Sequence, residues 1–430
     1  MKDKRKILML GWEFPPKISG GLGVASQGLA ESLVKSGHDI TFLLPKKSKK
    51  QVSQHVKLVD ASTLKPDLDF WKEKKVATEI WHEIEIGTRL LPYLPPETFQ
   101  IAHEKQKVVE SLEATQESEL LEHLPLTGSY EADLGAELIK YALLSVQVAR
   151  KQKPDLVHAH DWITFRAGTM IKKILKKPLF LHVHSTEYDR NSIHAQPFVV
   201  EEEQRGFDAA DHIFCVSEKL KVTICSQYGI DEKRVTVAPN AINQASAESS
   251  SKRKPKTLAF VGRLTAQKSP STFIDIARDL TSRGHNFQYL VIGDGYLRGA
   301  LEGRVKSSNF SNLITFTGFL ERTDLMKKLG EIDLLVMPSA SEPFGLVALE
   351  AIMKKIPVAA ASGSGVGEFI PSMPHVDRWD HYSYIRLIEQ LMTDSDYRES
   401  VVEKCYSEAS KLTWDKTAEV VEKLYRKVLR

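Results

Sequence analysis

A chain of 430 residues, 42% hydrophobic and 27% charged, has room for two large cores and the balance of a soluble globular protein, not of a disordered or fibrous one. Its 59 Lys and Arg against 56 Asp and Glu leave a formal charge of +3, which excludes a broad polyanion-binding surface and points away from nucleic acid and anionic membrane as partners. Three cysteines, Cys215, Cys225 and Cys405, with no C-x-x-C spacing, point away from a disulfide framework or structural zinc and toward a reducing compartment.

Short apolar runs alternate with longer amphipathic stretches, the rhythm of βαβ units building a parallel sheet covered on both faces. The first run, Ile7 to Leu10, ends at Gly11-Trp12-Glu13 and is too short for the apolar core of a signal peptide. No later run approaches the roughly 18 residues of a membrane span, so a cytoplasmic location without membrane insertion is expected. Strands are predicted at 6–10, 40–44, 155–158, 179–184, 212–216 and 235–238, with helices between them. Residues 46–126 break the rhythm: the segment is polar, carries Pro92, Pro95 and Pro96, has a helical period from Ala102 to Leu121 and reads as an insertion. From Gln244 to Lys254 the chain is small, polar and Ser-rich, which is linker composition. The first domain is therefore taken as residues 1–243 and the second as 244–412, with strands predicted at 257–261, 288–292, 313–316, 334–337 and 357–360. Val420, Val421, Leu424, Tyr425 and Val428 give residues 413–430 the period of an amphipathic closing helix, free to pack back on the first domain. The expected fold class is α/β, with two doubly wound domains whose ligands bind in the crevice at the carboxyl ends of the strands.

Four motifs fall at strand ends. Gly20-Gly21-Leu22-Gly23 precedes an apolar-periodic helix, Val24 to Val34; glycines let the backbone approach an anion, and free amides at a helix start favour phosphate. As a dinucleotide fingerprint it is incomplete, because Ser26 stands where a third glycine belongs and the next strand exits as Leu44-Pro45-Lys46 without an acidic ribose clamp. A plain tight turn is the alternative. His158-Ala159-His160-Asp161 and His182-Val183-His184 end two strands, and alternation puts each histidine pair on one sheet face. Four imidazoles and Asp161 could hold the metal of an amidohydrolase-like enzyme; in the alternative, one histidine of each pair is buried structure and the other lines a cleft.

Gly262-Arg263-Leu264-Thr265-Ala266-Gln267-Lys268 leaves the first strand of the second series with two cations five residues apart. On the crevice side they form a diphosphate clamp, and elsewhere they are two solvated surface charges. In Ser341-Glu342-Pro343-Phe344-Gly345-Leu346-Val347-Ala348-Leu349-Glu350, Pro343 and Gly345 make a bend and a helix begins near Gly345. Glu342 in the loop and Glu350 in the helix can accept hydrogen bonds from sugar and ribose hydroxyls, beside the phosphate-favouring helix start. The glycine turns Gly293-Asp294-Gly295 and Gly363-Ser364-Gly365-Val366-Gly367-Glu368 say little alone.

Together these residues resemble the retaining glycosyltransferases of the GT-B fold, specifically the glycogen and starch synthase group and its relatives in glycosyltransferase family 4, over nearly the whole chain. The resemblance rests on Gly11-Trp12-Glu13-Phe14-Pro15-Pro16 leading into Gly20 to Gly23, on His158-Ala159-His160-Asp161-Trp162, on Gly262-Arg263 with Lys268, and above all on the E-x7-E pattern of Glu342 and Glu350. It implies two Rossmann-like domains facing each other across a cleft, and neither cofactor nor metal. An ADP-, UDP- or GDP-sugar is held mainly by the C-terminal domain and a glycan acceptor, foremost an α-glucan, mainly by the N-terminal one, with domain closure bringing them together. Arg263 and Lys268 are implied to hold the diphosphate, Glu350 the ribose and Glu342 the donor sugar hydroxyls. His184 is implied to sit near the anomeric carbon or the C6 hydroxyl. Gly21, Gly23, Phe344, Gly345 and Leu346 complete the donor side; Gly20, His160 and Asp161 are acceptor-side candidates. Retention follows, in this resemblance, from same-face attack with the leaving phosphate taking the acceptor's proton.

Two positions depart from the pattern. Lys17 stands three residues before Gly20, where bacterial and plant starch synthases carry a lysine two before the glycine pair, which moves the chain toward family 4. The linking motif Pro-Asn-Gly-x-Asp reads Pro239-Asn240-Ala241-Ile242-Asn243. A metal-dependent hydrolase using the His-x-His pairs and a catalytically silent glucan-binding relative are the competing readings.

Overall fold

The computed structural model describes residues 4–16, 18, 20–67, 70, 126–130, 134–242 and 256–429. Lys17, Asn243, the Ser-rich linker and the helix expected at 102–121 lie outside the described residues. The chain divides into two compact units: Met1–Cys215, Lys221–Val237 and Ala418–Arg430 form the first, Val216–Leu220 and Ala238–Thr417 the second.

The first unit carries a seven-stranded parallel sheet in the order β3-β2-β1-β4-β5-β6-β7. Its strands are β1 (Lys6–Leu10), β2 (Asp39–Leu44), β3 (Lys57–Asp60), β4 (Leu156–His160), β5 (Leu179–Val183), β6 (His212–Cys215) and β7 (Val235–Val237). The central strands β4, β5 and β6 are buried along their whole length, which is why they read as continuous apolar or aromatic runs. Strand order reverses between β1 and β4, the position where such sheets open a ligand crevice. The helices are α1 (Gly21–Lys35), α2 (Leu134–Gln152), α3 (Trp162–Leu175), α4 (Glu187–Asn191), α5 (Pro197–Ala209) and α6 (Glu218–Tyr228). Strand β3 corrects the reading of 46–126 as an insertion throughout: Lys57–Asp60 pairs with β2 as the sheet's edge. Half-buried and four residues long, it leaves no apolar run to find.

The second unit carries a six-stranded parallel sheet in the order β10-β9-β8-β11-β12-β13. It is built from β8 (Thr257–Val261), β9 (Gln288–Ile292), β10 (Ile314–Gly318), β11 (Leu334–Met337), β12 (Val358–Ala361) and the two-residue β13 (His375–Val376). Around it lie α7 (Pro270–Ser282), α8 (Arg298–Lys306), α9 (Arg322–Leu329), α10 (Leu346–Met353), α11 (His381–Thr393) and α12 (Ser395–Ala409). Residues 216–220 belong here because Ser217 Oγ donates to Pro343 O at 2.6 Å and the amides of Glu218 and Lys219 donate to the Glu368 carboxylate at 2.7 and 2.8 Å.

The last helix, α13 (Trp414–Val428), returns to the first unit from Ala418 onward. There Tyr425, fully buried, meets the rings of Phe180 (4.7 Å between centroids), His158 (5.9 Å) and Phe214 (6.4 Å), so its apolar stripe covers one face of the first sheet. Among the described residues, no helix is long and apolar enough to cross a membrane.

Candidate active-site residues

In the second unit, backbone hydrogen bonds tie the carboxyl ends of the strands into one rim. Gly262 N donates to Ile292 O (3.0 Å), Leu264 N to Asp294 O (2.8 Å) and Gly293 N to Gly318 O (3.0 Å), linking the exits of β8, β9 and β10. Ala340 N donates to Gln267 O (2.8 Å), while Gly365 N and Val366 N donate to Glu342 O (2.9 Å) and Phe344 O (2.7 Å), linking β8, β11 and β12. Side chains would not fit at these crossings: a Cβ on Gly293 would stand 1.9 Å from Gly262 O, and one on Gly365 1.9 Å from Pro343 O. The glycine turns that are weak signals alone are therefore what lets the loops meet.

On that rim Lys268 closes a short turn, Ala266–Lys268, and its Nζ lies 2.7 Å from Glu342 Oε2. Ser339 Oγ donates to the same oxygen at 3.2 Å. Both charges are largely out of water, so each depends on the other, and the ammonium keeps further N–H donors beyond the one Glu342 takes. Arg263 Nη2 lies 3.4 Å from Gln267 Oε1, holding the second cation over the same turn. Gly345, at φ +105°, opens α10 without a side-chain cap, so the amides that begin at Leu346 carry no side-chain acceptor. The Phe344 ring is buried 6.0 Å from that of Phe369, so any donor contact by this residue is left to its backbone.

Glu350, buried on α10, forms an ion pair with Arg322 at the start of α9. Burial pushes its carboxyl up from the ordinary carboxylate range; the Arg322 guanidinium pulls it back, with help from Lys354.

The first unit stacks its histidines in a column on one face of the sheet. His158 and His160 of β4 and His182 of β5 are fully buried, with ring centroids 4.8 to 5.4 Å apart. His184, just past β5, is partly exposed at the end of the column, its Nε2 3.3 Å from His160 Nδ1. Burial keeps three of these rings neutral: His184 is pushed down to about 3, and His158 and His160 lie well below their ordinary value, where neighbouring imidazoles add to the effect. Asp161 follows β4 at φ +58°, ψ 163°, a conformation rare outside glycine, and its Oδ1 accepts the amide of His184 at 2.6 Å. Its buried carboxyl is pushed up to about 6, against the pull of that amide, of Arg190 and of the Ser185 amide. Arg190 pins the next turn, donating to Ser185 O (3.1 Å), Glu187 (3.0 Å) and Glu203 (2.7 Å).

At the start of α1, Gly23 is required for packing, since a Cβ there would meet Ile18 Cγ2 at 2.5 Å. Gly20 and Gly21 are exposed at the helix start, where no side chain caps the amides. Of the acceptor-side candidates, His160 is enclosed beneath His184, and Asp161 acts on the backbone that carries His184.

The histidine column departs in geometry from the tetrahedral zinc site that the two His-x-His pairs suggest. The ring nitrogens of His158, His160 and His182 come within 4.8 Å of one another, whereas tetrahedral zinc needs ligand nitrogens about 3.3 Å apart with lone pairs converging in the ring planes. Interplanar angles of 14° to 30° set those lone pairs side by side. His158 Nδ1 is engaged by Tyr425 Oη, and the Asp161 carboxylate faces amides, not imidazoles.

Arg322, the ion-pair partner of Glu350, is the neighbour that sequence reasoning missed. A cation in the first turn of a helix opposes the macrodipole, and that local misfit was the available signal.

Comparison with known proteins agrees with this architecture. Residues 242–408 match the family model "Glycosyl transferases group 1", and residues 124–246 match "Glycosyltransferase Family 4". An uncharacterized glycosyltransferase of Methanocaldococcus jannaschii is 27% identical, with 98% of each chain covered. The glycogen synthase of Mycobacterium tuberculosis is 25% identical over 85% of this chain and 80% of its own. In fold, the chain is similar to the catalytic domain of starch synthase IV from Arabidopsis thaliana, bound to ADP and acarbose, with a TM-score of 0.71, 14% identity, and 99% and 100% of the two chains covered. Two Rossmann-like units with this rim of loops define a glycosyltransferase of the GT-B fold. Within that class the chain is a family-4-like glycosyltransferase with glycogen-synthase-like relatives. These matches give no support to the hydrolase reading.

Proposed function

We propose that the protein transfers a sugar, glucose in this reading, from a nucleoside-diphosphate sugar to a glycan acceptor of the α-glucan type, with retention at the anomeric carbon and without a divalent metal. The observation that carries the proposal is the Lys268 ammonium held 2.7 Å from Glu342 on a rim shared with Arg263 and the uncapped start of α10. Such a cluster suits a diphosphate whose negative charge grows as it leaves, the place where preorganised charge lowers a barrier most. The relatives named as glycogen synthases, and the starch synthase with ADP and acarbose bound, favour an α-glucan acceptor and a nucleoside diphosphate here.

In this account Arg263 and Lys268 bind the diphosphate, and the amides from Leu346 onward add donors. Glu342 accepts hydrogen bonds from the donor sugar hydroxyls, and Glu350 accepts from the ribose. His184, neutral by burial, meets the sugar as a hydrogen-bonding group and not as an acid. The bond between the anomeric carbon and the diphosphate oxygen breaks as the acceptor oxygen bonds to that carbon on the same face. The acceptor's proton passes to the departing phosphate. Nucleoside diphosphate release from ADP-, UDP- and GDP-sugars, measured with and without a maltooligosaccharide, tests the proposal. Acceptor-dependent release supports it, and glycan binding without release from any donor marks a silent relative instead.

A further inference from the structure

We infer that Arg322 is a positioning residue of the donor site, holding the Glu350 carboxylate charged and aimed so that its second oxygen accepts hydrogen bonds from the ribose diol of a nucleoside diphosphate. The inference rests on the ribose role of Glu350 proposed above.

Glu350 is 5% exposed, and a carboxylate so far from water is costly unless paired. The pair it makes is one-sided: Arg322 Nη1 engages Oε1 alone, and among the described residues no other hydrogen bond reaches the side chain. A purely structural Arg–Glu pair gains most from the two-pronged contact in which both oxygens are satisfied. Here Oε2 keeps its acceptor capacity, and Arg322, 30% exposed, keeps donors of its own. The two residues start from the exits of different strands: Arg322 opens α9 after β10, and Glu350 lies in α10 after β11. Both therefore belong to the carboxyl edge of the sheet, where ligands of such sheets bind.

Arg322 also stands where its own helix disfavours it. A cation in the first turn meets the positive end of the helix dipole, so local preference does not account for it, whereas a buried carboxylate opposite does. The charged groups that act on Glu350 are Arg322 and Lys354 of its own helix. Those on neighbouring elements face elsewhere: Glu368 after β12 binds the amides of Glu218 and Lys219, while Glu403 and Glu408 of α12 bind Lys355 and Ser372. With Arg322 neutralised, burial is opposed only by Lys354, and the Glu350 carboxyl takes up a proton at higher pH than in the native chain.

The test uses the full chain carrying Arg322→Gln, Arg322→Lys or Glu350→Ala. Dissociation constants for ADP, UDP and GDP are measured by calorimetry from pH 5.5 to 8.5, with melting temperatures alongside. For the nucleotide the native protein binds best, Arg322→Gln is expected to weaken binding about ten-fold or more at pH 6, the scale of one lost charged hydrogen bond, and less at pH 8.5. Arg322→Lys is expected to restore most of the affinity, and it carries the test if Arg322→Gln does not fold. Weakening by the same factor at every pH, or native-like binding by Arg322→Gln while Glu350→Ala binds weakly, overturns the inference alone. Native-like binding by Glu350→Ala overturns the ribose role and the inference with it.

Discussion

Replacing Lys268 by Ala strikes the cluster at its centre. Its Nζ is 2.7 Å from Glu342 Oε2, and the two side chains are 17% and 9% exposed. Removing one partner of a fully buried pair costs about 3–5 kcal/mol. Residual exposure and the Ser339 hydroxyl that still reaches Glu342 reduce this, so a stability loss of about 2 kcal/mol is expected. Activity should fall further, by about 100- to 1000-fold in kcat, because the lost cation faces charge that grows in the transition state. The double variant Lys268→Ala/Glu342→Gln separates the two effects. It leaves no stranded carboxylate, so urea unfolding should return to within about 1 kcal/mol of native while the rate stays low. A single Lys268→Ala variant within ten-fold of the native rate, or a double variant that regains activity, would refute the diphosphate role: the lysine would then serve only to neutralise Glu342.

Other perturbations reach different parts of the structure. Gly293→Ala should cost about 3 kcal/mol or more in urea unfolding, because a Cβ would lie 1.9 Å from Gly262 O at a backbone φ of +135°. Tyr425→Phe leaves His158 Nδ1 buried without its partner and should cost about 1–3 kcal/mol, read as an earlier unfolding midpoint. The histidine column predicts a pH effect of definite sign. His160 has its folded pKa depressed below the ordinary 6.5, so the stability of its neutral form is complete above pH 6.5 and is lost as the pH falls below it. Between pH 7.5 and 5.5 the native chain should therefore lose about 1.4 kcal/mol relative to His160→Phe, which lacks this titration. Taking the difference between the two proteins cancels the opposite contributions of Asp161 and Glu203, whose buried carboxyls are pushed up to about 6 and about 7.

The doubly wound fold is legible because its central strands are buried on both faces and leave continuous apolar runs, as at Thr257–Val261 and Leu334–Met337. Lys57–Asp60 and His375–Val376 are edge strands of four and two residues, too short and too exposed to leave such a run. The site is legible as loops at strand ends, since glycine, proline and charge mark where the chain turns. Which way a side chain points is not. The sequence treats Phe344 and Gly345 alike, yet one ring is core and the other residue opens a helix. It places Lys268 and Glu342 in separate motifs, 74 positions apart, and only folding shows that they pair. It offers two histidine pairs as ligands, and the pitch of adjacent parallel strands stacks them instead.

Product stereochemistry tests the central claim most directly. ADP-, UDP- and GDP-glucose are each incubated with the protein and a maltooligosaccharide in EDTA, and the anomeric proton of the new linkage is followed by NMR. The account predicts transfer from at least one donor that gives an α-linked product and persists in the chelator. A β-linked product, or activity that disappears in EDTA and returns with zinc, would contradict it.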